Sequence, residues 1–297
     1  MTPIDTSDVT TPSGARGEAP SARTNATTGT VLVTGGTGTL GKAVVPLLRS
    51  AGRDVRVLSR KPPATTDEVA YVPGDLTTGE GVEAAVAGVS TIIHLAGTAT
   101  GDDSKARTLV EAVGATGSRP HLVYISVVGA DRVPIRSRVD RTMFGYFASK
   151  RAAEIVVADS GLPWTTLRAT QFHDLMLMMV QGMAKLPVIP LPSGFRFQPV
   201  DTGEVAQRLV ELAAGTPSGL VDDIAGPRTD TMKAIVRSYL QAAGKHRLTV
   251  PLHLPGKAAA AYRSGANLAP DHAVGQRSWE QFLVDRVAAQ RPASATS

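Results

Sequence analysis

One stretch of the chain reads Thr30-Val31-Leu32-Val33-Thr34-Gly35-Gly36-Thr37-Gly38-Thr39-Leu40-Gly41. Its first five residues are mostly apolar or β-branched, which is typical of a buried strand. Glycines follow at once, and apolar residues then recur at helical spacing, at Leu40, Val44, Val45, Leu47 and Leu48. The stretch therefore predicts a strand, a tight turn and an amphipathic helix in direct succession.

The turn in this stretch has the glycine spacing of a dinucleotide-binding loop. Glycines at such positions allow a tight turn, a close approach of the backbone to a pyrophosphate, and close packing of the helix on the strand. The free N–H groups at the start of the helix favour a negatively charged phosphate. We therefore predict a nucleotide cradle, formed by Gly35, Gly36, Thr37, Gly38, Thr39, Leu40 and Gly41.

The rest of the amino-terminal half repeats this alternation of strand and helix. Strands are predicted at residues 30–34, 54–59, 69–72, 91–95, 121–126 and 164–168, and helices near 80–87, 104–113 and 144–159. Strands that alternate with helices pair in parallel, because each helix carries the chain back across the sheet. The sequence thus predicts an α/β fold with a doubly wound parallel sheet.

Composition divides the chain into four segments. Residues 1–28 contain little that is large and apolar, so we predict a disordered tail there, and a second frayed tail at 291–297. Residues 29–170 form the predicted dinucleotide-binding core. Beyond residue 170 prolines interrupt the pattern before a helix near 202–213, and we assign 171–290 mainly to a small C-terminal lobe on the substrate side.

The residues after the second strand predict which dinucleotide binds. An acidic residue at this point hydrogen-bonds the ribose of NAD, whereas an arginine accommodates the 2′-phosphate of NADP. Here the strand ends in Ser59, Arg60 and Lys61, with no carboxylate, so NADP is preferred and NAD is the alternative. Residues that end the third and fourth strands lie on the same sheet edge and complete the predicted cofactor site, namely Asp75, Leu76, Leu95, Ala96 and Gly97.

A second motif predicts a catalytic site at the same edge of the sheet. Tyr146 and Lys150 are four residues apart on a predicted helix, so they share one face. A phenol titrates near pH 10, and an adjacent ammonium that lowers its pKa would suit it to proton transfer. Ser126 ends the preceding strand, where its hydroxyl can reach the same substrate oxygen. Ser126, Tyr146 and Lys150 are therefore the predicted catalytic residues.

Other classes of function are disfavoured. The chain has no cysteine, which excludes disulfides and thiolate metal sites, and its six histidines lack metal-ligand spacing. The net charge of +5 is scattered, without the basic runs of a nucleic-acid groove. No apolar stretch approaches the ~20 residues that span a bilayer. We therefore expect a soluble, cytoplasmic protein with no metal, nucleic-acid or membrane partner, and with an undetermined oligomeric state.

Together these motifs resemble the short-chain dehydrogenase/reductase superfamily, in its atypical, NmrA-like, NAD(P)H-binding branch. The similarity covers roughly residues 29 to 285 and rests on six segments: 34–41, 74–76, 94–97, 124–126, 146–154 and 167–172. It implies an extended Rossmann fold, in which Ala169, Thr170 and Gln171 join the cofactor site. The helix after the fourth strand departs from the pattern, because residues 102–108 lack the asparagine that many relatives carry there.

The resemblance implies hydride transfer between nicotinamide and a substrate, with Tyr146 as general acid or base. Ser126 would hold the carbonyl oxygen, and Lys150 would hold the nicotinamide ribose and lower the pKa of Tyr146. A methionine-rich segment at 176–183 favours a small apolar carbonyl or quinone-like substrate, although core packing or a dimer contact explains it at least as well. Two alternatives stay open: a non-catalytic NADP-binding redox sensor, and a sugar-nucleotide epimerase or dehydratase.

Three further polar features are interpreted as structural. The pairs Asp102-Asp103 and Asp222-Asp223 are predicted to be loop charges. His173 is predicted to be a packing residue, with a reach to the nicotinamide as the alternative.

Overall fold

A computed structural model describes residues 1–2, 29–63 and 68–290 of the 297-residue chain. The predicted tails at 1–28 and 291–297 lie outside the described residues, apart from the first two. The strands are β1 (Val31–Thr34), β2 (Val55–Ser59), β3 (Val69–Pro73), β4 (Thr91–His94), β5 (His121–Val127), β6 (Trp164–Ala169), β7 (Val188–Pro192), β8 (Arg196–Phe197), β9 (Gly219–Leu220), β10 (Asp230–Thr231) and β11 (Leu248–Leu252).

The helices lie between these strands. They are α1 (Thr39–Ser50), α2 (Val82–Val86), α3 (Asp102–Thr116), α4 (Arg138–Ala158), α5 (His173–Met183), α6 (Thr202–Ala214), α7 (Met232–Ala242), α8 (Lys257–Ser264) and α9 (Trp279–Gln290). None of the helices in 29–63 and 68–290 is both long enough and apolar enough to cross a lipid bilayer.

The main sheet is parallel and doubly wound. Its strand order is β3-β2-β1-β4-β5-β6-β9, so the order reverses between β1 and β4. In such a sheet, ligands bind outside the carboxyl ends of the strands at that point of reversal. The predicted α/β fold is confirmed, with the short strand β9 added beyond the six predicted strands.

Alternating side chains give the sheet two apolar faces. Val31 and Val33 of β1 pack on the face covered by α1 and α6, and Leu32 between them packs on the face covered by α2, α3 and α4. Every one of these three side chains is fully buried. Burial on both faces explains why the strands are continuous apolar runs, as expected for a parallel sheet between helix layers.

A separate apolar cluster forms the C-terminal lobe. It joins α5, α7, α8 and α9 with the small sheets β8–β10 and β7–β11. Helices α1 and α6 pack together, so α6 covers the main sheet although it follows residue 170.

Helix α4 connects the two bodies of the fold. Ala153 and Val157, near its C-terminal end, pack beneath the main sheet, whereas Phe144 and Phe147, near its start, pack in the lobe. The helix begins at Arg138, six residues before the predicted start. Ser137 caps it, because its hydroxyl accepts the N–H of Asp140 while the Asp140 carboxylate accepts the N–H of Ser137. Tyr146 therefore lies where the lobe meets the main sheet.

Candidate active site

Two glycines of the turn after β1, Gly35 and Gly41, have no room for a side chain. Gly35 has φ of +73°, which favours glycine, and a Cβ there would lie 2.8 Å from the backbone nitrogen of Ala96. A Cβ on Gly41 would lie 2.3 Å from the carbonyl oxygen of Gly35. Because α1 packs this tightly on the turn, its N-terminus is held against the carboxyl ends of the central strands.

The start of α1 is open towards a cleft. Gly38 stands at the N-cap without a side-chain hydrogen bond, and the first turn carries no acidic residue. The cleft measures about 960 Å³. Of the predicted cofactor residues it is lined by Gly35, Thr37, Gly38, Ser59, Arg60, Lys61, Asp75, Leu76, Leu95, Ala96 and Gly97. Gly36, Thr39, Leu40 and Gly41 are not among the lining residues.

These dimensions and donors fit a dinucleotide. Unpaired N–H groups and the positive end of the helix dipole favour phosphate at the start of α1. A side chain on Gly35 would fill the space between the turn and β4. The residues of the cleft therefore fit a nicotinamide dinucleotide.

The cations predicted to select NADP lie at one end of this cleft. Arg60 and Lys61 are both exposed, and neither forms an ion pair with a described residue. Asp75 accepts the N–H of Thr77 at 2.8 Å, which lowers the pKa of its carboxyl group, and Arg60 lowers it further. Two free cations at the end of β2 fit the 2′-phosphate of NADP.

Lys150 lies behind Gly97, which lines the cleft. A Cβ on Gly97 would meet the Lys150 amine at 2.9 Å and the Asp102 carboxylate at 3.0 Å. The amine donates to the carbonyl oxygen of Ile125 at 3.1 Å and pairs with Asp102 at 3.2 Å. Both side chains are buried, at 5% and 1% exposure. The glycine-lined cleft and the Tyr-Lys motif therefore meet at Gly97.

Tyr146 lies beside this lysine and is 38% exposed. The Lys150 amine is 5.8 Å from the centre of the Tyr146 ring. In this structure the pKa of Tyr146 is raised, whereas a lowered pKa was expected. Lost hydration raises the pKa of Tyr146, and the Asp102 carboxylate raises it further. Because Asp102 pairs with Lys150, it offsets the positive charge that was expected to act on the phenol.

Ser126 is buried and is not hydrogen-bonded to the phenol among the described residues. It is 4% exposed, and its hydroxyl forms no hydrogen bond with a described residue, so it is not bonded to Tyr146 or Lys150. The hydroxyl lies near the Glu154 carboxylate and helps to lower the pKa of that group. In this arrangement the Ser126 hydroxyl is enclosed by protein.

The three cofactor residues predicted after β6 do not line the cleft. Ala169 packs in the core between the sheet and α6. The Thr170 hydroxyl donates to the carbonyl oxygen of Gln198 at 2.6 Å. Gln171 is 8% exposed, and neither atom of its amide has a partner among the described residues. After β6 the Thr170 N–H donates to the carbonyl oxygen of Ile224, and the Gln171 carbonyl oxygen accepts the N–H of Val200.

The sequence reasoning missed the start of α3. Thr98, Thr100, Gly101, Ser104 and Lys105 all line the cleft. The interpretation of Asp102 as a loop charge is wrong, because Asp102 is a buried partner of Lys150. Asp103 is partly exposed and pairs with Arg107 at 3.7 Å. In the sequence, the absence of an asparagine from residues 102–108 was the only sign that this helix differs from that of many relatives.

His173 is fully buried in the lobe. Its ring stacks on Phe282 at 5.0 Å between ring centres, and its Nδ1 lies 3.9 Å from the Asp201 carboxylate. These contacts agree with the packing role predicted for it. Met176, in the same helix, is buried in the lobe core, whereas Met178 is exposed.

A family described as NAD(P)H-binding matches residues 35–176. The match runs from the glycine turn through β6 into α5, so it includes the cleft and the Tyr-Lys motif.

Comparison with known proteins identifies similar reductases. Ceramide reductase of Caulobacter vibrioides is 30% identical over 243 residues, which cover 77% of this chain and 75% of that protein. The (4-alkanoyl-5-oxo-2,5-dihydrofuran-3-yl)methyl phosphate reductase of Streptomyces griseus is 29% identical over 220 residues, covering 72% of this chain and 74% of that protein.

A solved structure shares the fold. An NADPH-dependent quinone oxidoreductase of Escherichia coli, complexed with NADPH, has a TM-score of 0.72 and 17% identity, covering 86% of this chain and 99% of that one. The glycine turn, the cleft and these relatives together place the chain in its family. It belongs to the NmrA-like, NAD(P)H-binding branch of the short-chain dehydrogenase/reductase superfamily.

Proposed function

We propose that this protein is an NADP-preferring oxidoreductase that reduces an apolar carbonyl or quinone-like compound. One observation carries the proposal: the cleft lined by the glycine turn is also lined by Gly97, and a Cβ on Gly97 would lie 2.9 Å from the Lys150 amine. Tyr146 precedes that lysine by one helical turn on α4, and the Lys150 amine lies 5.8 Å from the centre of its ring. A nucleotide site and a proton donor thus share one edge of the sheet.

The preference for NADP rests on charge. Arg60 and Lys61 stand at the end of β2 inside the cleft lining, where a 2′-phosphate is bound in sheets of this topology. An arginine offers paired donors to phosphate oxygens, and hydrogen bonds to charged groups contribute about 1.5–3 kcal/mol each.

The chemistry divides between the cofactor and the chain. Reduced nicotinamide supplies a hydride when bound. Tyr146 donates a proton to the carbonyl oxygen, and Lys150 lies behind Gly97 of the cleft lining. Ser126 would add a second hydrogen bond to that oxygen only if its hydroxyl turned away from Glu154.

The surface around Tyr146 supports an apolar substrate. Val139, Met143 and Tyr146 follow each other at helical spacing on α4, and they are 55%, 48% and 38% exposed. Such a stripe beside Tyr146 offers contact to an apolar ligand. The names of the two reductases also fit, because one refers to an alkanoyl group and the other to ceramide.

A nucleotide-responsive sensor is the second candidate. The enclosed hydroxyl of Ser126 favours it, because one expected catalytic group does not reach a substrate in this arrangement. A sensor would bind NADPH tightly and turn nothing over.

A substrate panel tests the proposal. Purified protein is mixed with NADPH and, in separate reactions, with medium-chain aldehydes, aryl ketones, acyl-chain ketones and quinones, and NADPH oxidation is followed by absorbance. We expect turnover with at least one apolar class and much slower turnover with NADH. Tight NADPH binding without turnover on any class would favour the sensor instead.

A further inference from the structure

Asp102 is the first residue of α3, and the protein encloses it completely. Its backbone N–H donates to the Ser149 hydroxyl at 3.0 Å, which ties α3 to α4. One carboxylate oxygen accepts the N–H of Thr98 at 2.8 Å, and the other faces the Lys150 amine at 3.2 Å. Lys105 lies 3.7 Å from the first oxygen. The carboxylate is therefore held by three groups, from Thr98, Lys150 and Lys105.

A buried ion pair requires such support. Removing two charges from water costs several kcal/mol per ion, and attraction offsets this only where hydrogen bonds satisfy the remaining donors and acceptors. Here the lysine amine also donates to Ile125, and the carboxylate sits at a helix N-terminus, where the dipole favours negative charge. The pair is thus built into the fold.

We propose that Asp102 is a positioning residue that holds Lys150 beneath Gly97 and offsets its charge, so that Tyr146 stays a neutral phenol ready to donate a proton. The inference rests on the proposed function, because it assigns a direction to the same site. The site is then suited to carbonyl reduction and poorly suited to alcohol oxidation near neutral pH.

Reduction of the carbonyl at this site needs one hydride and one proton. The carbonyl carbon accepts a hydride from reduced nicotinamide, which is thereby oxidised, and the carbonyl oxygen accepts the proton of Tyr146. The resulting phenolate is reprotonated by solvent, since Tyr146 is 38% exposed. The reverse reaction needs the phenolate at the start, so it needs alkaline solution.

Charged and titratable groups surround the phenol from several elements. They are Asp102 on α3, Lys150 on α4, Tyr124 on β5 and Tyr262 on α8. Lys105 on α3 and Glu154 on α4 act on Lys150. Asp102 raises the pKa of both Tyr124 and Tyr146. Burial lowers the pKa of Lys150, and Asp102 opposes that shift. Asp102 is therefore the group whose removal acts directly on the phenol.

The proposed effect of Asp102 on the ionisation of Tyr146 is tested by following tyrosinate absorbance against pH in protein to which no nucleotide is added. The ionisation of Tyr146 is the difference between each protein and its Tyr146→Phe counterpart, measured for wild type, Asp102→Asn and Asp103→Asn. Asp103 is the matched control, since it follows Asp102 on α3 but pairs at the surface. We expect no Tyr146 ionisation below about pH 10 in wild type or in Asp103→Asn. We expect Asp102→Asn to ionise at least about one pH unit lower, a tenfold change.

Activity provides an independent readout. In Asp102→Asn the alkaline limit of carbonyl reduction should move down by the same amount, and alcohol oxidation should begin at lower pH. A shifted titration without turnover in any protein would support the role of Asp102 and overturn the proposed function. An unshifted titration in Asp102→Asn would overturn the inference. So would a wild-type Tyr146 that ionises near neutral pH, which is measurable even if Asp102→Asn does not fold.

Discussion

Glu154 and Arg168 form a buried, two-pronged ion pair between α4 and β6. The guanidinium donates to the two carboxylate oxygens at 2.8 and 2.7 Å, and the side chains are only 5% and 7% exposed. Arg168 also pairs with Asp131 at 3.0 Å. Because Tyr146 and Lys150 lie on α4, this pair fixes their helix to the sheet that forms the nucleotide cleft.

We expect Glu154→Gln to lower the free energy of unfolding by about 3 kcal/mol, since it leaves a buried guanidinium partly unpaired. Glu211→Gln is the control. Glu211 pairs with Arg208 at 3.1 Å, but both side chains are exposed, so the expected loss is below about 0.5 kcal/mol. Urea unfolding measures both. Equal losses would show that the buried pair does not hold α4.

Gly41→Ala tests the turn. The added Cβ would lie 2.3 Å from the carbonyl oxygen of Gly35 and 2.4 Å from Gly36, so the cradle must shift. We expect NADPH to bind at least about tenfold more weakly, a loss of roughly 1.4 kcal/mol. Gly114→Ala on α3 is the matched control because, apart from the backbone of its own helix, no described residue has an atom within 4 Å of its Cβ position.

The control should bind NADPH like the wild type. It should also stabilise the fold by about 0.5–1 kcal/mol, because alanine is the better helix former. Fluorescence titration with NADPH and thermal unfolding provide the two readouts. Unchanged affinity in Gly41→Ala would mean that the phosphates bind elsewhere.

Arg60→Ala tests the selection of NADP. Loss of one charge-assisted contact to the 2′-phosphate should weaken NADPH about tenfold or more and leave NADH nearly unchanged. Arg107→Ala, which removes an exposed cation from α3, should change neither affinity. Isothermal titration calorimetry with NADPH and with NADH measures both affinities in each protein. Parallel losses for NADPH and NADH would place Arg60 away from the 2′-phosphate.

His94 makes the protein sensitive to acid. Burial lowers the pKa of His94 to about 3, aided by the charge of Lys150, and the ring bonds Thr34 at 2.7 Å. Below its ordinary pKa of 6.5 the unfolded chain takes up a proton that the folded chain refuses. The contribution to stability is therefore complete above pH 6.5 and is lost as the pH falls towards 3.

We expect His94→Asn to remove much of this sensitivity while keeping a hydrogen bond to Thr34. Between pH 7 and 4.5 the wild type should lose about 2–3 kcal/mol more than the variant. Urea unfolding at both pH values measures the difference. Parallel losses in the two proteins would contradict a neutral, buried His94.

Local sequence predicted most of the fold. The strand, turn and helix from Val31 to Ser50 depend on neighbouring residues, so β1 and α1 fall where the pattern placed them. The start of α4 was missed because its signal is the pair Ser137 and Asp140, which lies among basic residues. Strand β9 has only two residues, and its place comes from pairing with β6.

The candidate site was predicted less completely because it depends on contacts distant in sequence. Asp102 acquires its character from Lys150, 48 positions further along the chain, and no local pattern reports such a pairing. Ser126 ends β5 as predicted, but its hydroxyl lies beside Glu154. Gln171 does not line the cleft, and its carbonyl oxygen accepts the N–H of Val200. The sequence predicted which residue types form the site. The residues that they contact could be identified only from the folded structure.

Transfer of deuterium from labelled NADPH to a carbonyl substrate tests the central claim most directly. Wild type and Tyr146→Phe, which loses one hydroxyl and keeps the ring, are compared with a substrate that the panel identifies. We predict that wild type places deuterium on the carbonyl carbon and that Tyr146→Phe is slower by about 10²–10⁴-fold, with unchanged affinity for NADPH. Equal rates in the two proteins would contradict Tyr146 as the proton donor.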